Sequence, residues 1–301
     1  MLAVRRRVLH WYRNNERKLP WRATKNPYVI LVSEIMLQQT QVSRVQEKHP
    51  RFIKTFPTVE HLARSSKPDV IRAWQGLGYN NRAVRLWELA REVTDRHNGR
   101  IPSNVQELKK LAGVGEYTAN AVACFAFGQR VPVVDVNIRR VLSRIFRRNS
   151  RLNNSDVSSI AAQVLPRDAY TWNQSLMDLG ATICIQRNPR CAECPVESLC
   201  LSRSIFRSTG NREHPRRSQR TTEPMYDRIP RRIWRGRIVE ALRNLNGARS
   251  TTLPRLGKII KQNFTETEVR WLHSLIRQLE NDRLVKTTVG NGTLRIMLAS
   301  Q

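Results

Sequence analysis

The chain has 301 residues, room for two or three domains, and 40 % of them are hydrophobic, so sizeable cores can form. Its 53 Lys and Arg against 24 Asp and Glu give a formal net charge of +29. Such an excess draws polyanions, and because it is spread through periodic apolar segments it fits a folded DNA- or RNA-binding enzyme better than a basic tail. The N-terminal MLAVRRRVLHWYRNN reads as a basic amphipathic helix without the apolar core of a signal peptide, and no apolar run is long enough to span a membrane. These features imply an intracellular protein, cytoplasmic or at the nucleoid. In that compartment the five cysteines form no disulfide framework.

Residues 3–200 read as mostly helical. Apolar residues recur at helical spacing in 29–38, 82–93, 116–128 and 136–146. Turns at Thr55–Thr58, Gly76–Gly78 and Arg100–Ser103 separate them, and no alternating strand pattern stands out before residue 280. From Arg203 to Arg232 nine Arg accompany three acidic residues, which reads as a basic, partly disordered linker. A second folded unit follows from about 227. Helices are expected over Ile233–Leu245 and Leu253–Gln262, then a third opened by the capping-box signature Thr265-Glu266-Thr267-Glu268. A hairpin over Leu284–Leu298 turns at Gly290-Asn291-Gly292. Three helices and a hairpin are similar to a winged helix.

Cys184, Cys191, Cys194 and Cys200 are spaced C-x6-C-x2-C-x5-C, close enough to surround one metal centre. Four thiolates suit structural zinc or an iron–sulfur cluster. The spacing is unlike paired CxxC ribbons and resembles the [4Fe–4S] loop of the endonuclease III family. Cys124, inside the apolar run Ala121–Phe125, reads as an inert core residue. Leu111-Ala112-Gly113-Val114-Gly115 lies between two helical segments. Glycines there permit a tight turn, and the free N–H groups opening the second helix make an anion site suited to a DNA phosphate. Leu-x-Gly-Val-Gly-x-x-Thr-Ala, followed by Val134-Asp135, resembles the helix-hairpin-helix signature of this glycosylase superfamily.

Cleaving an N-glycosidic bond passes through a cationic sugar, and calls for an acid for the leaving group and a carboxylate for the cation, held in different environments. Glu34, an acid within the apolar Ile30–Leu37 segment, and Asp135, at a helix N-cap position, offer such a pair. Leu19-Pro20-Trp21-Arg22, Ser33–Val42, Gly76-Leu77-Gly78-Tyr79 and Asn173-Gln174-x-x-x-Asp178-Leu179-Gly180-Ala181 look like MutY-type adenine DNA glycosylases. The resemblance covers residues 8–202. It implies that Glu34 protonates the departing adenine, that Asp135 stabilises the sugar cation and that Asn137 orients the reacting groups. It also implies that Trp21, Arg22 and Gln174 line the adenine pocket. Gln38, Gln39 and Tyr79 would contact the opened base stack, and Gly113 and Gly115 the DNA backbone. Base flipping is required because the scissile bond cannot be reached inside a duplex.

Tyr117 stands where bifunctional relatives carry a Schiff-base Lys, so the resemblance implies a monofunctional enzyme. Two departures mark this chain. The family usually reads Gly-Leu-Gly-Tyr-Tyr, whereas Asn80 follows Tyr79 here, and the winged-helix-like unit replaces a β-rich domain that recognises 8-oxoguanine. The expected architecture is a mainly α glycosylase core. It comprises a six-helix barrel with the hairpin (25–132), an iron–sulfur helical domain (1–24 and 133–202), the linker (203–226) and the winged-helix-like domain (227–301). The expected partner is double-stranded DNA carrying a mismatch or damaged base, bound by a monomer with no membrane attachment. A thymine or uracil glycosylase for mismatches with guanine is the alternative enzyme. A non-catalytic iron–sulfur DNA-binding regulator is the alternative of another class.

Overall fold

The computed structural model describes residues 1–147, 152–208, 223–245, 249–290 and 292–300. In chain order its helices are α1 (Leu2–Asn15), α2 (Pro27–Leu37), α3 (Val42–Thr55), α4 (Val59–Arg64), α5 (Lys67–Ala73), α6 (Asn81–His97), α7 (Val105–Lys110), α8 (Glu116–Phe125), α9 (Val136–Phe146), α10 (Asn154–Gln163), α11 (Ala169–Thr182), α12 (Arg203–Ser208), α13 (Arg231–Arg243), α14 (Leu253–Ile260) and α15 (Val269–Asn281). The strands are β1 (Met225–Tyr226), β2 (Ile229–Pro230), β3 (Thr251–Thr252), β4 (Val285–Gly290) and β5 (Thr293–Leu298). The first three strands precede residue 280 and are two residues long, too short to leave an alternating pattern in the sequence. No helix among the described residues is long and apolar enough to cross a membrane.

Contacts divide the chain into two compact units. One holds Met1–Glu34, Pro102–Lys110 and Val114–Ser218, the other Ile35–Ile101, Leu111–Gly113 and Gln219–Gln301. These boundaries fall at other residues than those read from the sequence.

In the first unit α1 buries Val4, Val8 and Tyr12, a four-residue spacing that forms one stripe against α11. Arg5 fastens its outer face by donating to the carbonyls of Gln163 (2.7 Å) and Val164 (2.7 Å). Asn153 and Asp168 cap α10 and α11 by accepting from Asp156 N–H (2.8 Å) and Thr171 N–H (3.0 Å). Helices α9 and α11 approach closely because residue 180 is glycine: a Cβ there would lie 2.8 Å from Asn137 Cβ. The linker expected from 203 begins instead with α12, whose Phe206 ring lies under the Arg144 guanidinium, 4.5 Å from its centroid. Residues 209–222 of that linker lie outside the described residues, and its last two, Met225 and Tyr226, form β1.

In the second unit α6 packs across α4 and α5 and buries Leu86, Leu89, Ala90 and Val93. Phe52 of α3 meets Trp74 edge-on at 5.7 Å. The C-terminal elements run α13, β3, α14, α15, β4, β5, with the antiparallel sheet ordered β3-β5-β4, which is the winged-helix order. Thr265 and Glu268 form the expected capping box, and the hairpin registers Gly290 against Thr293; Asn291 of its turn lies outside the described residues. Trp234, Ile238, Leu272, Ile276 and Ile296 form one core that also takes in Ile71 of α5 and Val84 of α6. Each such side chain contributes about 1.5–3 kcal/mol through burial. The C-terminal elements are therefore fastened to the 35–101 segment. Arg243 completes the joint by donating to Ile71 O (2.9 Å) and to Asn80 Oδ1 (2.9 Å). Asn80 is thus an anchor for the C-terminal elements.

Candidate active site

Glu34 lies near the end of the apolar α2 and is only 5 % exposed. Burial pushes its carboxyl up to about 7, with the nearby Asp135 charge adding to the effect; the Tyr117 hydroxyl, which donates to it, and the charge of Arg22 pull the other way. Glu34 Oε2 is buried with no hydrogen-bond partner among the described residues. Tyr117 itself is held well above the ordinary phenol range, first by burial and then by the charges of Glu34 and Asp135.

Asp135 is the N-cap of α9, as its position suggests. Its Oδ1 accepts from Ile138 N–H at 2.6 Å and its Oδ2 from Asn137 Nδ2 at 2.9 Å. Burial raises its pKa, opposed by these hydrogen bonds and by the Arg140 charge. The approach to Asp135 is fixed by Asn173, whose Oδ1 accepts from Val133 N–H (3.1 Å) and whose Nδ2 donates to Val131 O (3.1 Å). Asn173 Nδ2 also reaches Cys124 Sγ at 3.4 Å; that thiol is fully buried and burial pushes it up to about 11, an inert core cysteine as expected.

Arg140, which the sequence did not single out, donates to Asn137 Oδ1 (2.8 Å), Gly180 O (2.7 Å) and Cys184 O (2.8 Å). It therefore orients the Asn137 amide toward Asp135. The one signal in the sequence is its place three residues after Asn137, on the same helix face.

Trp21 and Gln174 are both buried, Trp21 in the short turn Pro20–Arg22 and Gln174 on α11. Arg22 differs from the expectation of a pocket wall. Its terminal nitrogens are spent on Asp178, at 2.8 Å to each oxygen, and on Arg17 O at 3.0 Å. Arg17 adds its own N–H and Nε to the same fully buried carboxylate. Arg22 remains close enough for its charge to lower both Glu34 and Tyr117.

Gln38, Gln39 and Tyr79 belong to the second unit. Gln39 (φ 58°) and Tyr79 (φ 44°) both hold the left-handed conformation that non-glycine residues rarely adopt, and Tyr79 is 52 % exposed. Arg82, also not singled out, explains how both are kept there. Its buried guanidinium donates to Ile35 O, Met36 O, Gln38 O, Thr40 Oγ1, Leu77 O and Gly78 O, at 2.6–3.1 Å. Burial pulls this guanidinium down to about 10, still a cation at neutral pH. A single side chain thus ties the 38–40 loop to the 77–79 loop.

Gly113 has φ +79° and faces Arg85 Cβ at 3.2 Å, so both conformation and space call for glycine. Gly115 N-caps α8 without a side-chain cap, and nothing lies within 4 Å of where its Cβ would be, which leaves the front of that helix open.

Cys184, Cys191, Cys194 and Cys200 are free thiols lining one pocket together with Arg144 and Phe206. Arg144 donates to Cys184 Sγ at 3.5 Å, and the Cys200 thiol donates to Arg144 O at 3.2 Å. Burial pushes Cys194 up to about 12 and raises Cys200. Among the described residues no three His, Cys, Asp or Glu side chains converge as ligands of one metal ion. The donor set, four thiols around a common pocket, fits a centre that takes one thiolate at each of several metal atoms.

A helical hairpin ahead of Asp135, the N-cap of α9, with the buried acid Glu34 within reach of its charge, defines a helix-hairpin-helix protein. Residues 32–167 match the model of the HhH-GPD superfamily base excision DNA repair proteins. The chain is 40 % identical to an adenine DNA glycosylase of Mycobacterium tuberculosis over 242 residues, 78 % of this chain and 77 % of that one. It is 41 % identical to the adenine DNA glycosylase of Mycolicibacterium smegmatis over 242 residues, 79 % of each. A solved thermostable thymine-DNA glycosylase is 33 % identical and superposes with a TM-score of 0.64, covering 67 % of this chain and 95 % of that one. The chain belongs to the adenine DNA glycosylase family.

Proposed function

We propose that the chain excises adenine mispaired with 8-oxoguanine or guanine in double-stranded DNA, as a monomer and without cutting the strand. The observation that carries this reading is the unpartnered Oε2 of Glu34, in a carboxyl that burial lifts to about 7. Such an acid is about half protonated at neutral pH, against almost wholly ionised at its ordinary value, and has one oxygen free to deliver the proton to a ring nitrogen of the flipped base. The glycosidic electron pair leaves with the protonated adenine. The carboxylate of Asp135, fixed by Ile138 N–H and by Asn137, meets the positive charge left on the sugar. Water then adds to that carbon and its proton returns to Glu34. Trp21 and Gln174 bound the base, and the open front of α8 at Gly115 takes a phosphate. The net charge of +29 supplies the general attraction to DNA. The four cysteines would hold a [4Fe–4S] cluster, whose contribution there is to cross-link the 184–200 loop.

The thymine-DNA glycosylase likeness supports a second substrate, thymine opposite guanine. A panel of duplexes carrying adenine, thymine or uracil opposite guanine and 8-oxoguanine separates the two, with alkali to reveal abasic sites. Alkali-labile sites at adenine are expected; sites at thymine alone would overturn the adenine reading. In the same panel borohydride should trap little protein–DNA complex, because a phenol at 117 has no amine to form a Schiff base. Tyr117→Lys should gain trapping. Strong trapping by the wild type, unchanged in Tyr117→Phe, would show that another lysine attacks the sugar.

A further inference from the structure

We infer that α12 is a cap on the four-cysteine pocket, with Phe206 as the lid that keeps water and metal-binding solutes from a cluster held there. The inference rests on the reading of Cys184, Cys191, Cys194 and Cys200 as ligands of a [4Fe–4S] cluster. Ligation and lifetime are separate properties of such a centre. Thiolates hold the irons, and the shell around them governs what reaches them.

In the polar, Arg-rich stretch 203–222 the hydrophobic side chains are Ile205 and Phe206. The six-residue α12 is too short to persist in water unaided, so contacts must hold it. Leu201 N–H donates to Ile145 O and Ser202 N–H to Arg144 O, both at 3.1 Å, which seats the start of the segment on the end of α9. Arg203 pairs with Glu197 of the cysteine loop at 3.2 Å. Phe206 follows Arg203 by three positions, on the same helix face, and both line the pocket beside the cysteines. Val141, Ile145, Leu179 and Ile183 make the opposite wall apolar.

Arg144 joins the cap to the cysteine loop. It is 8 % exposed and donates to Ile185 O (2.8 Å) and Gln186 O (3.1 Å) besides the Cys184 thiol, while the Phe206 ring covers its guanidinium. Its Nε is buried with no acceptor among the described residues. A buried N–H left without an acceptor is costly, and a sulfur-rich centre in this pocket can supply one.

The test uses the full chain purified without oxygen. Capture of iron by bathophenanthroline disulfonate is followed together with loss of the cluster's visible absorbance. Phe206→Ala should carry as much iron as the wild type and release it about tenfold faster, the scale of a lost outer-shell group. Across Phe206→Leu and Phe206→Val release should quicken as the side chain shrinks, which keeps the test open if the alanine variant does not fold. Leu201→Ala, in the same segment but 56 % exposed, should release iron at the wild-type rate. Rates indifferent to residue 206 in an iron-loaded protein, or equally fast release by Leu201→Ala, overturn the cap. A wild type that holds zinc and no iron overturns the cluster reading itself, and the cap with it.

Discussion

Glu34→Gln should lower single-turnover excision by about 10²–10⁴-fold, the scale of a lost general acid, with DNA affinity nearly unchanged. The amide keeps the side-chain volume and can still accept from Tyr117, but has no acidic proton. The same substitution should stabilise the protein above neutral pH. The carboxyl titrates near 7 in the fold against 4.5 ordinarily, so the folded state binds the proton more tightly. Stability is then full below about 4.5 and declines as pH rises through 7, for a cost of about 3 kcal/mol at pH 8. Melting curves should show Glu34→Gln above wild type at pH 8 and close to it at pH 4.5. Wild-type excision by this variant would place the acid elsewhere.

Asp178→Ala should be the most damaging change to stability outside the apolar core. The carboxylate is fully buried and receives four donors from Arg17 and Arg22. Burial alone would raise its pKa, but the Arg22 hydrogen bonds and charge, with Arg17, outweigh burial and hold it below the usual carboxylate range. Removing it strands the Arg22 guanidinium, 10 % exposed, without its counter-charge. The expected loss is about 3–5 kcal/mol in denaturant unfolding at pH 7. The wild-type pair should persist in acid and fail only as pH falls through the depressed pKa of Asp178. A loss below about 1 kcal/mol would mean that water satisfies Arg22.

Both changes act on residues that differ in how readily the sequence discloses them. The Asp135 cap and the turn at Gly113 were legible because local backbone geometry selects those residue types, and the Asp135–Asn137 bond spans only two positions. The winged-helix order was legible from helical spacing, a capping box and a hairpin. The sequence reading placed Arg22 at the wall of the base pocket, and its pairing with Asp178 across 156 positions was not legible. Arg82 and Arg140 look like surface cations in a chain so rich in arginine. Only the fold shows one spent on the last turn of α2 and on the 38–40 and 77–78 loops, and the other bridging Asn137, Gly180 and Cys184. The docking of α13 on Ile71, Val84 and Asn80 left no local trace beyond the Asn itself.

The central claim is that a buried, protonated Glu34 delivers the proton that releases adenine. The most direct measurement is the single-turnover excision rate from pH 5.5 to 9 on a duplex with adenine opposite 8-oxoguanine, at saturating enzyme and fixed salt. The rate should hold up to about 7 and then fall by about tenfold per pH unit as Glu34 ionises. A rate that stays flat or rises through pH 8.5, with the protein still folded and bound, would contradict the account.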